Sequence, residues 1–321
     1  MKWINRRHIF DPLDYRLPNG CFEFAQSPQT LVFDDFVRIY FSTRKKEENT
    51  GKFLSMIAYL DFDKEFNEVL NVSAETPIKL GDLGCFDEHG IFPINILRHD
   101  NKILAYTCGW SRRMSVSVET STGLAYSNDG GVSFEKYGSG PVLTSSLKEP
   151  CLVGDSFVKV YNNLFHMWYI FGQRWLKSTD KEPPARVYKI AHAISKDGIT
   201  WQKEEGKQII ADVLNADECQ ALPTVTKIGD LYHMYFCFRE ATDFRKNHDR
   251  GYRLGYAWSD DLKNWTRNDE LGGMQKPATG WDAEMMCYPH IFQCYEKVYL
   301  LYNGNEFGRR GFGIAELEQG R

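Results

Sequence analysis

The sequence predicts an all-β fold: a five-bladed β-propeller of four-stranded antiparallel blades, with residues 1–321 as a single domain. Three observations predict it. A strand–turn–strand phrase recurs at Leu254 to Trp265 (LGYAWSDDLKNW), Gly123 to Phe134 (GLAYSNDGGVSF) and Ile190 to Trp201 (IAHAISKDGITW), with weaker copies at Ile57 to Phe66 and Phe312 to Leu317. Its marker alanines, Ala58, Ala125, Ala193, Ala257 and Ala315, step by 67, 68, 64 and 58 residues. Each period also holds short apolar or alternating runs of strand length, separated by polar turns. Five copies of such a unit indicate a circular repeat array, whereas a sandwich carries no repeat of this length.

Within each period the first strand begins near a proline: QSPQTLVF, IFPINIL, ALPTVTKI and YPHIFQCY, with DSFVKVY in the third copy. A strongly aromatic second strand follows: FVRIYFS, KILAYTC, LFHMWYIF, LYHMYFCF and KVYLLYNG. The marker phrase supplies the third strand. A more polar run after its turn (FNEVLNV, SFEKY, TWQKEE, NWTRND) suits an outer edge. The fifth copy stops after its third strand, so Lys2 to Phe10 is expected to supply the missing outer strand and close the last blade. Three turns read Ser-x-Asp, at Ser127/Asp129, Ser195/Asp197 and Ser259/Asp261. A short carboxylate there accepts backbone N–H bonds, and the following Phe134, Trp201 or Trp265 is expected to pack between blades.

Bulk composition narrows the function. Aromatics are 14% of the chain, which suits both strands and sugar stacking. The net charge of −4 comes from well-mixed signs, so no nucleic-acid footprint is present. The opening MKWINRRHIFDP lacks an apolar core of signal length, and no run of eighteen apolar residues occurs, so no membrane partner is expected. The eight cysteines show no metal-ligand spacing and read as reduced thiols of a cytoplasmic protein.

A glutamate recurs five positions ahead of the repeated proline, at Glu23/Pro28, Glu88/Pro93, Glu218/Pro223 and Glu284/Pro289. The third copy departs, with Cys151 and Ser156 at those positions, Glu149 two residues earlier and Asp155 inside the strand. In a propeller the first strands line the axis, so these acids are expected to converge. Converging carboxylates suit cleavage of a glycosidic bond, which needs one protonated acid and one ionised partner. Like charges raise one pKa and keep that acid protonated. The chain between Arg239 and Arg253 also carries Arg245 and Arg250, and guanidinium forks recognise phosphate or carboxylate.

The proline-led first strands, the aromatic second strands and the SDDLKNW-type hairpin resemble the five-bladed propeller glycosidase superfamily. That superfamily includes arabinanases, β-xylosidases, invertases, levansucrases and mannoside phosphorylases. The resemblance spans the chain and implies acids on the first three blades: a base or nucleophile Asp, a supporting Asp and an acid Glu. Carried over, the second blade offers Asp87 or Glu88 and the third offers Glu149, while the first has Gln26 where Asp would be expected. The resemblance also allows a structural calcium in the central channel, near His89 or His290 and the acid ring.

The sequence therefore points to a carbohydrate-active enzyme that cleaves or phosphorolyses a glycosidic bond of a small sugar, which could be phosphorylated, acidic or nucleotide-activated. The alternative is a sugar-binding propeller without turnover, serving glycan assembly. Glu218 and Glu284 lead as acid and base, with Asp87, Glu88 and Glu149 as partners. The substrate-binding candidates are Gln26, Arg44, Trp110, Trp175, Arg239, Arg253, Asp282, Tyr288, His290 and Asn303.

Overall fold

In the computed structural model, residues 1–177 and 183–318 are described. Their strands fall into five sets in chain order. The first is β2 (Phe22–Val32), β3 (Val37–Lys46), β4 (Phe53–Phe62) and β5 (Val69–Val72), preceded in the chain by β1 (Trp3–Phe10). The second is β6 (Gly90–His99), β7 (Lys102–Arg112), β8 (Val118–Ser127) and β9 (Glu135–Lys136). The third is β10 (Cys151–Tyr161), β11 (Leu164–Leu176), β12 (Ala185–Ser195) and β13 (Gln202–Lys203). The fourth is β14 (Cys219–Ile228), β15 (Leu231–Arg239), β16 (Arg253–Ser259) and β17 (Thr266–Arg267). The fifth is β18 (Cys287–Cys294), β19 (Lys297–Asn303) and β20 (Phe312–Leu317), completed by β1.

Within every set neighbouring strands are antiparallel in chain order. The first two sets are joined into one larger sheet by a single parallel bridge, Ser55 to Gly90. The N-terminal strand pairs antiparallel with β20, Trp3 opposite Leu317 and Phe10 opposite Phe312, so the chain start completes the last sheet. The outer strands β9, β13 and β17 are two residues long, shorter than their sequence suggests. Edge strands this short and polar leave few unpaired amides to template aggregation.

The three Ser-x-Asp turns behave alike. Asp197 Oδ1 accepts from the amides of Ile199 and Thr200 at 2.8 and 2.7 Å, and Asp261 Oδ1 accepts from Lys263 and Asn264, both at 2.8 Å. The backbone N–H of Thr200, then that of Ile199, holds the Asp197 carboxyl down at about 2. These aspartates serve the turn.

The aromatic residue after each turn reaches the set before it. Phe134 packs edge-on against Tyr40 at 5.8 Å, Trp201 against Tyr106 at 5.9 Å and Trp265 against Trp168 at 6.2 Å. Trp3 of the fifth set meets Tyr235 of the fourth at 5.7 Å. Phe66 of the first set meets Tyr299 of the fifth at 5.1 Å. Rings crossed edge-to-face at such distances gain about 1 kcal/mol beyond the area they bury. One kind of contact thus joins every consecutive pair of sets and ties the last to the first.

All eight cysteines are unpaired. Among the described residues no helix is long and apolar enough to cross a membrane.

Candidate functional site

Each first strand breaks its register near its start, at Gln26/Gln29, Ile91/Ile94, Gly154/Phe157, Ala221/Thr224 and Cys287/His290. The residues at these breaks are Ser27, Phe92, Asp155, Leu222 and Tyr288. Four of them have left-handed backbone, with φ between 50° and 55°, and Phe92 precedes a cis proline. A bulge of this kind re-aims a side chain without ending the strand. All five lie one position before the repeated proline or its equivalent, Ser156 in the third set.

Four of these five, Phe92, Asp155, Leu222 and Tyr288, line one cavity of about 580 Å³. Its other walls come from the ends of second strands and the starts of third strands: Arg44 and Ser55, Cys108 and Trp110, Ile170 and Arg186, Arg239 and Tyr252. The volume falls in the ordinary range for small-molecule sites, about 300–1,000 Å³.

Asp155 is the one carboxylate among the described lining residues. Gly154 beside it lets β10 approach the second set, since a Cβ at that position would lie 2.3 Å from Cys108 Sγ. Burial pushes the Asp155 carboxyl up to about 7, against the opposing pull of Arg186, the Leu222 amide and the Cys108 thiol. An acid held there is still substantially protonated at neutral pH and can donate.

Four arginines face the same space: Arg44, Arg186, Arg239 and Arg245. Arg239 is buried and donates to Tyr188 Oη at 2.8 Å, while its Nε has no partner among the described residues. Its guanidinium lies 3.6 Å from the ring centre of Phe244. Arg245 has its pKa lowered by burial, then by repulsion from Arg239 and Arg186, so these three form one positive cluster. Tyr188 and Tyr252 share a 2.6 Å hydroxyl contact beside it, and burial raises both phenols, which stay neutral donors. Gln26 Oε1 is buried and unpartnered among the described residues, while its Nε2 donates to the Phe307 carbonyl at 2.6 Å. The site is thus one weak acid facing a cationic wall, with apolar rings across its floor.

Of the candidates drawn from sequence, Gln26, Arg44, Trp110, Arg239 and Tyr288 line this cavity. The acid ring does not. Asp87 bonds Lys136 of β9, and Glu149 bonds Lys203 of β13 and the Tyr169 hydroxyl. Glu218 bonds Arg267 of β17 at 2.6 Å, with Gln220 and the Val213 and Leu214 amides completing its shell. Asp282 follows the same plan, bonding Arg6 of β1 at 2.6 Å and the Tyr302 hydroxyl at 2.9 Å. In four sets a buried acid just ahead of the first strand is thus neutralised by a cation from the outer strand. These carboxylates pin each sheet's edges together, which is why they repeat.

The remaining candidates also have structural partners. Glu88 accepts from the Gly84 amide at 2.7 Å and meets His89 at 3.1 Å in a loop. Glu284 is exposed, lies 3.6 Å from His248, and borders a separate cavity of about 370 Å³ beyond Phe24, Phe244 and Phe307. Trp175 sits against Cys151 in β11. Arg253 donates to the Asp249 carbonyl at 2.6 Å. Asn303 bridges the Ser27 amide and the Ala25 and Gly311 carbonyls, fastening the first set to the fifth. His290 Nε2 accepts from the Thr30 amide at 3.1 Å. Burial, then the neighbouring Lys159 ammonium, depresses the His290 pKa. Among the described residues no group of three His, Cys, Asp or Glu side chains gathers.

Sequence reasoning noted Asp155 inside its strand without choosing it as a catalytic candidate, and missed Arg186, Tyr188 and Tyr252. The signal for Asp155 was present one step from the equivalent of the repeated proline; of the acids five steps ahead of that proline, only Glu218 is one of the sheet-pinning set.

No family model matches the sequence. Two uncharacterized proteins of Mycobacterium tuberculosis strains are 29% identical over 324 residues, spanning 99% of this chain and all of theirs. A β-1,2-mannobiose phosphorylase of a Thermoanaerobacter species is 30% identical over 108 residues, 32% of this chain and 33% of that one. Among solved structures, a glycoside hydrolase superposes with a TM-score of 0.72 at 17% identity, over 98% of this chain and 93% of its own. The β-1,2-mannobiose phosphorylase of Listeria innocua, in complex with β-1,2-mannobiose, gives 0.67 at 11%, over 98% and 97%. An endo-arabinase from Bacteroides thetaiotaomicron gives 0.63 at 12%, over 98% and 99%. At these identities the likeness is one of fold: the chain shares the fold of the propeller glycosidases and mannobiose phosphorylases, as the sequence motifs implied.

Proposed function

We propose that the five strand sets are the blades of one five-bladed propeller, and that its cavity phosphorolyses a glycosidic bond of a small sugar. The observation that carries this reading is the pairing of a single protonatable carboxyl, Asp155, with the cluster of Arg186, Arg239 and Arg245. Hydrolysis with inversion needs a second carboxylate to activate water, and retention needs one as nucleophile. The equivalent floor positions hold Ser27 and Phe92 in the first two blades, and the adjacent Gln26 is uncharged. Inorganic phosphate needs no such base, because it is already an anionic nucleophile.

In this reading the arginines seat the phosphate and the neutral phenols of Tyr188 and Tyr252 complete its hydrogen bonds. Asp155 protonates the glycosidic oxygen as the bond from that oxygen to the anomeric carbon breaks. A phosphate oxygen forms the new bond to the same carbon. The products are a glycosyl phosphate and the freed alcohol, and the proton lost by hydrogenphosphate restores Asp155. The partial sequence match to a β-1,2-mannobiose phosphorylase supports this reading over polymer hydrolysis, while the superpositions take in hydrolases and a phosphorylase alike.

The test is a panel of disaccharides, β-mannosides included, incubated with the protein with and without phosphate, reading glycosyl phosphate release. Release that requires phosphate and disappears in Asp155→Asn supports the proposal. Equal turnover without phosphate would make the protein a hydrolase. The lost base positions favour a second reading, a propeller that binds sugar without turnover; binding with no product over long incubation would establish that instead.

A further inference from the structure

The cavity keeps its arginines in two places, and the separation bears on what the sugar must carry. This inference rests on the phosphorolysis reading. Arg239 and Arg245 share Phe244, whose ring centre lies 3.6 and 4.4 Å from their guanidinium carbons. Arg44 stands apart on β3, with Phe24 at 5.5 Å and Phe92 at 5.7 Å, and shares no ring with the others. Tyr288 interacts electrostatically with both Arg44 and Arg245.

Arg44 has donors to spare. Its Nη1 reaches Ser55 Oγ at 2.9 Å, Ser42 Oγ at 3.3 Å and the Thr43 carbonyl at 3.4 Å. Among the described residues Nε and Nη2 make no hydrogen bond, and no carboxylate lies within ion-pair distance. A guanidinium in such surroundings is stabilised by an anion brought to it. Burial lowers its pKa to about 10, which leaves it fully charged at neutral pH. The floor of the same cavity presents the rings of Phe92 and Tyr288 and the Leu222 side chain, with Asp155 its one acid among the described residues. That floor suits the face of a pyranose ring, with phosphate at one side of the ring and a ring substituent at the other.

We infer that Arg44 seats an anionic substituent of the glycoside itself, so that the substrate is an acidic sugar bearing a phosphate ester or a carboxylate. The anion on the sugar and the attacking phosphate then occupy different arginines and do not compete.

Isothermal titration of the full chain with inorganic phosphate, mannose, mannose 6-phosphate and glucuronate tests this. At least one acidic sugar is expected to bind tenfold or more tightly than mannose. Arg44→Gln should erase that preference while phosphate affinity stays within about twofold, and Arg245→Ala should do the reverse. The acidic sugar that responds distinguishes ester from carboxylate. Equal affinity for all three sugars, or no binding by any, overturns the inference. So does an Arg44→Gln variant that weakens phosphate as much as the acidic sugar. Should that variant fail to fold, the wild-type comparison decides, and Arg44→Lys, which keeps the charge but loses the fork, gives an intermediate preference. Binding preference is read without turnover, so a chain that favours acidic sugars but releases no glycosyl phosphate sinks the reaction and spares the seat.

Discussion

Arg267 Nη1 lies 2.6 Å from Glu218 Oε1, and this bond runs from the outermost strand of the fourth set back to the start of its first. It removes Glu218 from the cavity and makes it a fastening. The same link recurs between Lys136 and Asp87, Lys203 and Glu149, and Arg6 and Asp282. A recurring acid in a repeat array is first a candidate for holding each repeat together.

Glu218→Gln should therefore destabilise the chain without touching its chemistry. Arg267 keeps Asp269 at 2.9 Å, so the loss is that of one charged hydrogen bond, about 2 kcal/mol. Although burial works the other way, Arg267 and Gln220 hold the Glu218 carboxyl below its usual range. Its folded pKa is depressed, so its contribution is present above the unfolded value and disappears as pH falls through the folded one. Urea denaturation at pH 7 and pH 3 should show a large loss at the first and a small one at the second. Unchanged stability at pH 7, or loss of turnover in the folded variant, would return Glu218 to the site.

Asp155→Asn should lower phosphate-dependent turnover by about 10²–10⁴-fold, the usual worth of a positioned general acid. The wild-type rate should fall as pH rises through about 7, where Asp155 gives up its proton. A flat profile from pH 6 to 9 would argue against this acid.

The same substitution should stabilise the fold in mild alkali. The folded pKa of Asp155 is about 7, above the value of an unfolded Asp, so the folded chain binds the extra proton. Stability from this group is complete below the unfolded pKa and is lost as pH rises through the folded one. Asp155→Asn should then melt higher than wild type at pH 8, with the gain shrinking toward pH 4. A lower melting temperature at pH 8 would show that the charged form is well solvated.

Trp3→Ala should weaken the closure of the fifth set on the fourth. Trp3 is buried, and its Nε1 is within 3.0 Å of both the Tyr235 hydroxyl and the Gly272 carbonyl. Truncating a buried tryptophan costs about 3–5 kcal/mol. Denaturant midpoints of the variant, and of a chain lacking residues 1–10, check this; unchanged midpoints would mean that the N-terminal strand adds nothing.

Much of the fold was legible because it repeats. Ala58 to Ala315 mark the third strands, the Ser-x-Asp turns close as drawn, and Phe134, Trp201 and Trp265 reach the neighbouring set. The candidate site was legible only in part. Gln26, Arg44, Trp110, Arg239 and Tyr288 lie on strand segments that the repeated pattern had already marked. Arg186 and Tyr188 belong to a strand whose polar start carries no site signature in sequence.

What the sequence determined by itself is the period, and with it the strand order and the way the chain start completes the last sheet. Local pattern suffices for that, because strand and turn chemistry act over a few neighbouring residues. Which acid meets the cavity was decided by tertiary structure alone. Glu218 and Asp155 are both carboxylates near the start of a first strand. A register break turns Asp155 inward, while an arginine 49 positions away draws Glu218 into its own sheet.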